Sequence, residues 1–192
     1  AGAYHNIITT DDVTPPLDPD HAEDTLYVTA FSLGNRVWED NGAGSGTAND
    51  GLRNGSEPGM NGLEVNLYLD ANDDGVPDGA VIATTTTDAD GYYRFDDLAG
   101  DTYIVEVEIP TGYQSSGVNG GDPDNDTDND NNGVDTSSNP GFIRSNPVTL
   151  GPTNDEPTDD NDPTTNPETG EGENDQSNRT VDFGFYRPFS LG

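Results

Sequence analysis

Three acidic loops contain the residues of this chain whose types and spacing suit the binding of a metal ion. Calcium is bound by about six to eight oxygen atoms, and a loop that holds it offers oxygen ligands at alternate positions, a glycine at the sixth position and a backbone carbonyl at the seventh. The first such loop contains Asp70, Asn72, Asp74, Gly75, Val76 and Asp78. Its spacing predicts a calcium site in which the four acidic or amide side chains and the Val76 carbonyl are ligands.

Loop 70–78 lacks one part of the usual pattern. The twelfth position, where a bidentate glutamate would close the site, is Val81. The missing negative charge must come from elsewhere in the chain, and Asp88 and Asp90 follow across the predicted hairpin. We therefore expect Asp88 and Asp90 to complete this site.

A second loop, residues 122–134, repeats the pattern. Its ligand positions and sixth-position glycine are Asp128, Asp130, Asn132, Gly133 and the Val134 carbonyl. The twelfth position is Asn139, so the glutamate is absent here too. The alternation begins earlier, at Asp122, Asp124 and Asp126. The loop therefore predicts room for more than one ion.

The third loop, residues 40–57, has the same pattern split by an insertion rich in Gly and Ala. Gly51 takes the sixth position, and Glu57 falls at the twelfth. The first ligand would then be Asp40, before the insertion, and Asn41 or Asn49 would supply a further oxygen. The predicted ligands of this loop are Asp40, Asn49, Asp50, the Leu52 carbonyl and Glu57.

The composition gives an independent reason to expect several bound calcium ions. The 192 residues include 38 Asp and Glu against six Arg and no Lys, a formal net charge of −32. Only 34 residues are Leu, Ile, Val or Phe, and a chain with so few apolar residues and so much charge stays disordered unless the charge is offset. A solvated acidic surface, as in salt-adapted proteins, also explains the composition. It does not explain the glycine at the sixth position of each loop.

The same charge and composition exclude several partners and sites. Nucleic acids and anionic membranes are negative, and the chain has no basic patch that would bind them. No apolar run reaches the length of a transmembrane segment. Because the chain has no Cys, it can form neither a disulfide nor a thiolate metal site.

Short apolar runs separated by Gly, Asp, Asn and Pro predict an all-β chain. The runs lie at 25–33, 35–38, 63–69, 80–86, 92–95, 103–109, 142–150 and 180–186. None has helical periodicity, and strands of this length favour a β-sandwich. Residues 1–30 predict an extended arm, and 151–178, with nine acids, predict an acidic insertion within a domain of residues 31–188.

Six motifs, in the same order, resemble the B domain of serine–aspartate-repeat surface adhesins, which is related to the collagen-adhesin B-type fold. They are GNRVWED at 34–40, DGL at 50–52, GSEPG at 55–59, GLEV at 62–65, TDADGYYRF at 87–95 and DFGFY at 182–186. The resemblance covers residues 31–188. It implies an immunoglobulin-like or prealbumin-like β-sandwich, extracellular or on the cell surface, that binds calcium and serves as a rigid stalk or spacer, often in tandem.

The resemblance also bears on individual residues. It places acidic motifs of the family at Asp40, Asp50, Glu57, Asp70, Asn72, Asp74, Asp88 and Asp90. The chain departs from the family in the insertion 43–48 and in the length of 151–178. Some relatives form an isopeptide bond through Lys, which a chain without Lys cannot do, so metal remains as the means of stiffening.

Other candidate sites are weaker. Glu106 and Glu108 share one face of a predicted strand, where we expect both to face solvent. Trp38 and the pair Tyr92-Tyr93 could form a platform for sugar, although their place in the motifs favours packing. No nucleophile and base can be identified, so we expect that the protein is not an enzyme.

The ends of the chain favour joining to further copies. Phe31-Ser32-Leu33-Gly34 recurs as Phe189-Ser190-Leu191-Gly192. Either the chain is one unit of a covalent tandem array, or residues 1–30 or 189–192 donate a strand to a neighbour's sheet edge and build a filament. The residues before the two copies differ, which favours donation. The alternatives to this structural role are a ligand-binding surface adhesin module and a carbohydrate-binding accessory domain.

Overall fold

The computed structural model describes residues 30–117, 121–124, 129–134, 140–151 and 177–188. In these ranges it contains ten strands and no helix, and hence none long and apolar enough to cross a membrane. The strands are β1 (Phe31–Glu39), β2 (Glu64–Leu69), β3 (Ala83–Thr86), β4 (Tyr92–Leu98), β5 (Thr102–Glu108), β6 (Gln114–Ser115), β7 (Phe142–Arg144), β8 (Val148–Thr149), β9 (Ser177–Asn178) and β10 (Phe183–Tyr186).

The strands form two five-stranded sheets that face each other. One has the order β4-β1-β10-β6, with β9 also paired to β1, and the other has the order β3-β2-β5-β7, with β8 also paired to β5. Alternate side chains of the central strands point between the sheets, among them Leu33, Val65, Leu67, Val105, Val107 and Phe183, all with no exposed surface. The predicted immunoglobulin-like or prealbumin-like β-sandwich is confirmed.

The first and last strands run in the same direction. Val37 pairs with Phe183 and Glu39 with Phe185 in a parallel ladder, whereas Phe31, at the start of β1, pairs with Leu98 at the end of β4. A nine-residue strand is about 30 Å long. The first strand therefore begins at one end of the domain, which we name the leading end. The last strand ends with Tyr186 at the opposite end, which we name the trailing end.

The strands differ from the sequence predictions in several places, and the run at 142–150 forms two strands, β7 and β8. Residues 31–39 form one strand rather than two pieces, and the predicted strand at 80–86 begins only at Ala83, since Val81 and Ile82 lie exposed in the preceding loop. The short strands β6 and β9 contain no apolar residue and were not predicted. Because β9 pairs with Ser32 and Leu33, the last two residues of the predicted insertion 151–178 lie in the sheet.

The remaining predictions on chain organisation concern residues outside the described ranges. These are the arm at 1–29, most of the insertion, from 152 to 176, and the repeated residues 189–192.

Gly59 allows two backbone segments to meet. A Cβ atom at this position would lie 1.7 Å from the Asp90 carbonyl oxygen and 2.7 Å from the Gly91 nitrogen. Because both neighbours are backbone atoms, no side-chain rotation could make room.

We expect Gly59→Ala to lower the free energy of unfolding by about 2 kcal/mol, since the added methyl group forces these segments apart. Chemical denaturation at fixed calcium concentration measures the effect. Gly151→Ala is the matched control, because its Cβ would meet no atom within 4 Å, and it should change the free energy by less than about 0.5 kcal/mol. Equal losses in both variants would contradict the packing argument.

Candidate metal-binding loops

Loop 40–57 begins with a buried carboxylate at the end of β1. Asp40 has no exposed surface, and its two oxygens accept the backbone N–H groups of Asn49 and Gly51, at 2.5 and 2.9 Å. Gly51 has a φ of 74°, in the left-handed region. The glycine at the predicted sixth position thus makes the turn that the spacing requires.

The end of the same loop returns along β1. The Glu39 N–H donates to the Pro58 carbonyl and the Met60 N–H to the Val37 carbonyl, both at 2.9 Å, and Trp38 is fully buried where it bridges to Gly59. This return brings Glu57 beside Asp40. Residues that are far apart in the loop sequence therefore lie together at the trailing end.

Asp40 and Glu57 form a pair of like charges out of water. Glu57 is 3 % exposed, and its two oxygens accept the N–H groups of Gly42 and Asn54, at 2.8 and 2.9 Å. Burial raises the pKa of Glu57, and the nearby Asp40 carboxylate raises it further, while the two N–H groups act in the opposite direction. Within the described ranges neither carboxylate has an Arg partner. The pair can be neutralised by a proton or by a bound cation.

The other predicted ligands of loop 40–57 lie in its turn. Asp50 accepts the Leu52 N–H and the Asn54 side-chain amide, both at 3.0 Å, and Asn49 lies exposed with a φ of 57°. Leu52 bridges to Asp130. The loop therefore adjoins the second predicted loop, which the sequence had not indicated.

Loop 70–78 closes around a second buried carboxylate. Asp70 has no exposed surface, and its oxygens accept the N–H groups of Asp74 and Gly75, at 3.2 and 2.9 Å. Gly75 has a φ of 76°. Asp78 accepts the Ala71 N–H at 2.9 Å. The loop thus has the tight turn that its spacing predicts.

The remaining ligand positions of loop 70–78 lie on its exposed side. The Asn72 side-chain amide donates to the Asp74 carboxylate at 3.1 Å. The Val76 N–H donates to the other oxygen of Asp74, at 2.9 Å, and the Val76 side chain is 59 % exposed. The loop gathers its predicted ligand residues into one turn.

The expectation that Asp88 and Asp90 complete loop 70–78 is wrong. The Asp70 N–H donates to the Thr102 carbonyl at the leading end, whereas the Val37 N–H donates to the Gly91 carbonyl near the trailing end. The two places are separated by the length of β4, about 20 Å. Asp88 instead accepts the N–H groups of Asp90 and Tyr92, at 2.9 Å each, and its turn packs against Gly59, just after loop 40–57.

The acids that adjoin loop 70–78 come from the second loop. The Asp124 carboxylate accepts the Thr149 N–H, at 2.9 Å, and the Asn178 side-chain amide, at 3.2 Å, so it joins β8 of one sheet to β9 of the other. Although part of Asp124 is exposed, loss of water around its carboxylate raises its pKa to about 6, and the charges of Asp122 and Asp73 raise it too. Asp122 accepts the Asp124 N–H at 3.1 Å.

The downstream part of the second loop departs from the predicted turn. Gly133, unlike Gly51 and Gly75, does not have a positive φ. The Asn132 oxygen accepts the Asp182 N–H at 2.7 Å, and its amide donates to Asp130 at 3.3 Å, so this predicted ligand serves the backbone of the domain. The Val134 N–H donates to the Arg144 carbonyl at 2.7 Å. Asp126 and Asp128 lie outside the described residues.

Sequence reasoning missed two buried polar residues that hold these loops to the sheets. The Asp182 carboxylate accepts the Asn35 side-chain amide and the backbone N–H groups of Arg36 and Asn129, at 2.9 to 3.1 Å. Asn131 accepts the N–H groups of Gly133 and Gly184 and donates to the Ser116 carbonyl. The only sequence signal of these two residues was Asp182 itself, an acid between the apolar residues of the predicted strand at 180–186.

The alternative sites have little support. Trp38 and Tyr93 are buried, and the half-buried Tyr92 ring is covered by the Arg36 guanidinium, 4.6 Å from its centroid, so the three rings form no open platform for sugar. Glu108 is exposed as expected, but the expectation for Glu106 is wrong. Glu106 is 1 % exposed because it accepts the Tyr68 hydroxyl at 3.0 Å and pairs with the Arg144 guanidinium at 2.6 Å.

Taken together, loops 40–57 and 70–78 present oxygen atoms but no complete side-chain cage. In the ranges that the structure describes, no three acidic or imidazole side chains converge closely enough to hold a metal by themselves. Backbone carbonyls, side-chain amides or water would have to complete a site, as hard cations such as calcium permit.

Comparison with known proteins agrees with the family resemblance of the six sequence motifs. A family model described as "SdrD B-like domain" matches residues 31–147. Serine-aspartate repeat-containing protein D of Staphylococcus aureus (strain Newman) is 37 % identical over 136 residues, which is 71 % of this chain and 9 % of that protein. Serine-aspartate repeat-containing protein F of Staphylococcus epidermidis is 39 % identical over 112 residues, 58 % of this chain and 6 % of that protein. The chain thus spans less than a tenth of these relatives.

Glu57→Gln should have opposite effects with and without calcium. With a chelator present at pH 7, the variant lacks the repulsion between the Asp40 and Glu57 carboxylates. It should therefore melt at a higher temperature than the unmodified protein. Because folding raises the pKa of Glu57 from 4.5, its contribution to stability is full below pH 4.5 and is lost as the pH rises through the raised value. The rise in melting temperature caused by Glu57→Gln should therefore vanish towards pH 4.

With calcium the same substitution should lower the affinity roughly tenfold, because it removes one ligand charge. Thermal melting at several calcium concentrations and calcium titration calorimetry measure the two effects. Glu108→Gln is the matched control, since it makes the same change of charge at an exposed position. Indistinguishable behaviour of the two variants would exclude a calcium site at Glu57.

Proposed function

The chain belongs to the SdrD B-like domain family, and from this premise we propose that it is a calcium-stabilised structural module, joined end to end with other copies in a stalk or filament. The family consists of extracellular domains of cell-surface adhesins, so the protein is an extracellular β-sandwich module of that kind. Calcium binding, the mode of joining and the absence of catalysis are the parts that we propose.

The observation that carries the calcium proposal is the buried pair Asp40 and Glu57. Removing one carboxylate from water costs several kcal/mol, and two side by side also repel each other. Backbone N–H groups donate to both but supply no net positive charge. A divalent cation would offset both charges at once, and the Leu52 carbonyl and Asp50 lie in the same loop to complete its coordination.

Loop 70–78 supports a second ion on different grounds. Its buried Asp70 accepts two N–H groups of its own turn, which orients the loop and leaves lone pairs on the carboxylate. Asp73 lies close enough to Asp124 for its negative charge to raise the pKa of Asp124. Loss of water is the main cause of the raised pKa of Asp124 and repulsion by nearby carboxylates adds to it, and a cation at this end would offset both. Several ions would thus reduce the net charge of −32.

The structural role is supported by the positions of the two ends. Since β1 begins at the leading end and β10 finishes at the trailing end, joined copies would extend along one line rather than fold back. Glu106, the acid on the outer face of β5, is paired with Arg144 and offers no free catalytic group. Together these features favour a spacer over an enzyme.

Two modes of joining are compatible with this arrangement. The recurrence of the sequence of residues 31–34 at 189–192 favours covalent tandem repetition. Strand donation would use an open sheet edge, and β3 lies at such an edge, next to the exposed apolar side chains of Val81 and Ile82.

Calcium should raise the unfolding temperature of the protein, and chelation should lower it. A ligand at 100 times its dissociation constant stabilises a one-site protein by about 2.7 kcal/mol. Calorimetric melting with calcium, compared with sodium chloride at equal ionic strength, separates binding from general screening of the charge. A melting temperature that responds equally to both salts would contradict the proposal.

Electron microscopy of the purified chain should separate the two modes of joining. Strand donation predicts filaments in calcium that disappear when the donor segment, residues 1–29 or 189–192, is removed. Tandem repetition predicts that the 192-residue chain remains a monomer, because the joining is covalent. Light scattering of the full chain, the two single deletions and the double deletion provides the mass, and filaments that persist in the double deletion would exclude donation by these ends.

A further inference from the structure

Four Asn-Gly pairs lie in the described part of the chain, at 41–42, 54–55, 61–62 and 132–133. The glycine nitrogen of such a pair can attack the side-chain carbonyl carbon of the asparagine, because glycine has no Cβ atom to hinder the approach. The reaction is accelerated by a base that takes the proton of the glycine N–H and by a donor that stabilises the negative charge on the asparagine oxygen. The surroundings of each pair therefore determine how fast it reacts.

The pair Asn41-Gly42 has both groups in place. The Gly42 N–H donates to the Glu57 carboxylate at 2.8 Å, a distance over which a base takes up a proton directly. The Asn41 side-chain oxygen accepts the Ala43 N–H at 2.9 Å, the distance expected of a donor to a developing oxyanion. Asn41 is exposed, so water reaches it, whereas Glu57 is buried. Nucleophile, base and oxyanion donor thus surround one side-chain amide.

The other three pairs lack this arrangement. The Gly62 N–H donates to the Thr87 carbonyl at 3.0 Å, and a neutral carbonyl, unlike a carboxylate, takes up no proton near pH 7. No carboxylate of the described ranges accepts the Gly55 N–H. Pair 132–133 is buried, away from the water that would complete the reaction. The exposed pair 61–62 therefore provides an unassisted reference within the same protein.

We propose that Asn41-Gly42 is a site of self-catalysed deamidation, in which Glu57 is the base and the Ala43 N–H stabilises the oxyanion. The Gly42 nitrogen forms a bond to the Asn41 side-chain carbonyl carbon, and its proton passes to Glu57. Glu57 returns that proton to the side-chain nitrogen, which leaves as ammonia, so that a cyclic succinimide remains. Water then opens the ring at either carbonyl and leaves aspartate or isoaspartate at position 41.

The reaction changes loop 40–57 permanently. Either product adds a negative charge beside the buried pair Asp40 and Glu57, and isoaspartate also lengthens the backbone after position 41. A cation held by Glu57 would occupy the lone pairs that take up the proton. The reaction is therefore confined to the metal-free loop, and this last point alone rests on the proposed calcium site.

Site-resolved mass spectrometry of the full chain tests the inference. The protein is incubated at pH 7 with a chelator, sampled over time and digested with trypsin, which cuts after Arg. Peptide 37–53 then reports Asn41, and peptide 54–94 reports Asn61. A synthetic peptide 37–53 in the same buffer gives the unassisted rate of the same sequence. Asn41 should react at least about fivefold faster in the folded protein than in this peptide.

Glu57→Gln should slow the reaction of Asn41 in the protein at least about tenfold, since an amide cannot take up the proton, and should leave the rate at Asn61 unchanged. Glu108→Gln is the matched control, because it removes the same charge at an exposed position, and should change neither rate. Thermal melting shows whether both variants are folded. The comparison of protein with peptide needs no variant, so it decides the question even if Glu57→Gln unfolds.

Three results would overturn the inference. They are a rate at Asn41 no faster in the protein than in the peptide, an unchanged rate in folded Glu57→Gln, and aspartate without isoaspartate, which would indicate direct hydrolysis rather than ring closure. Repeating the measurement in calcium separates this inference from the proposed function. Calcium-dependent melting without assistance at Asn41 would remove the deamidation alone. An assisted reaction whose rate, like the melting temperature, is unaffected by calcium would remove the calcium site alone.

Discussion

Asp40 and Glu57 are two carboxylates held side by side away from water, and the arrangement around them determines much of the trailing end. Loop 40–57 must fold back along β1 to bring them together, and the fully buried Trp38 and the glycine at position 59 make that return possible. The second loop then packs on the turn through Leu52 and Asp130. The calcium ion that we propose at this pair would offset both charges in a chain whose net charge is −32.

The amide and carboxylate side chains of the interior have a different role from those of the loops. Asp182, Asn131 and Asn132 have almost no exposed surface, and their oxygens accept backbone N–H groups of the irregular residues 129 and 182 and of Gly184 in β10. Irregular backbone close to a core is costly unless its polar groups are paired. These side chains therefore allow long loops to cross the edge of a small sandwich.

Sequence reasoning succeeded where the determinant was local. The turn of loop 70–78 depends on Gly75, in an alternating acidic loop, and that of loop 40–57 on Gly51, directly after Asp50, and both glycines adopt the left-handed conformation. It failed for Asp88 and Asp90, because their neighbours depend on which end of the sandwich the turn reaches. It failed for Glu106 because its partner, Arg144, is 38 residues away. Two-residue strands such as β9 carry no apolar pattern that could predict them.

The parallel pairing of β1 with β10 has a mechanical consequence. A pull on the two ends of the domain acts along these strands in opposite directions, so the hydrogen bonds between Val37–Glu39 and Phe183–Phe185 are loaded in shear. Bonds loaded in this way must break together, whereas a hairpin pulled from one end opens one bond at a time. The strand order thus suits a protein that bears tension.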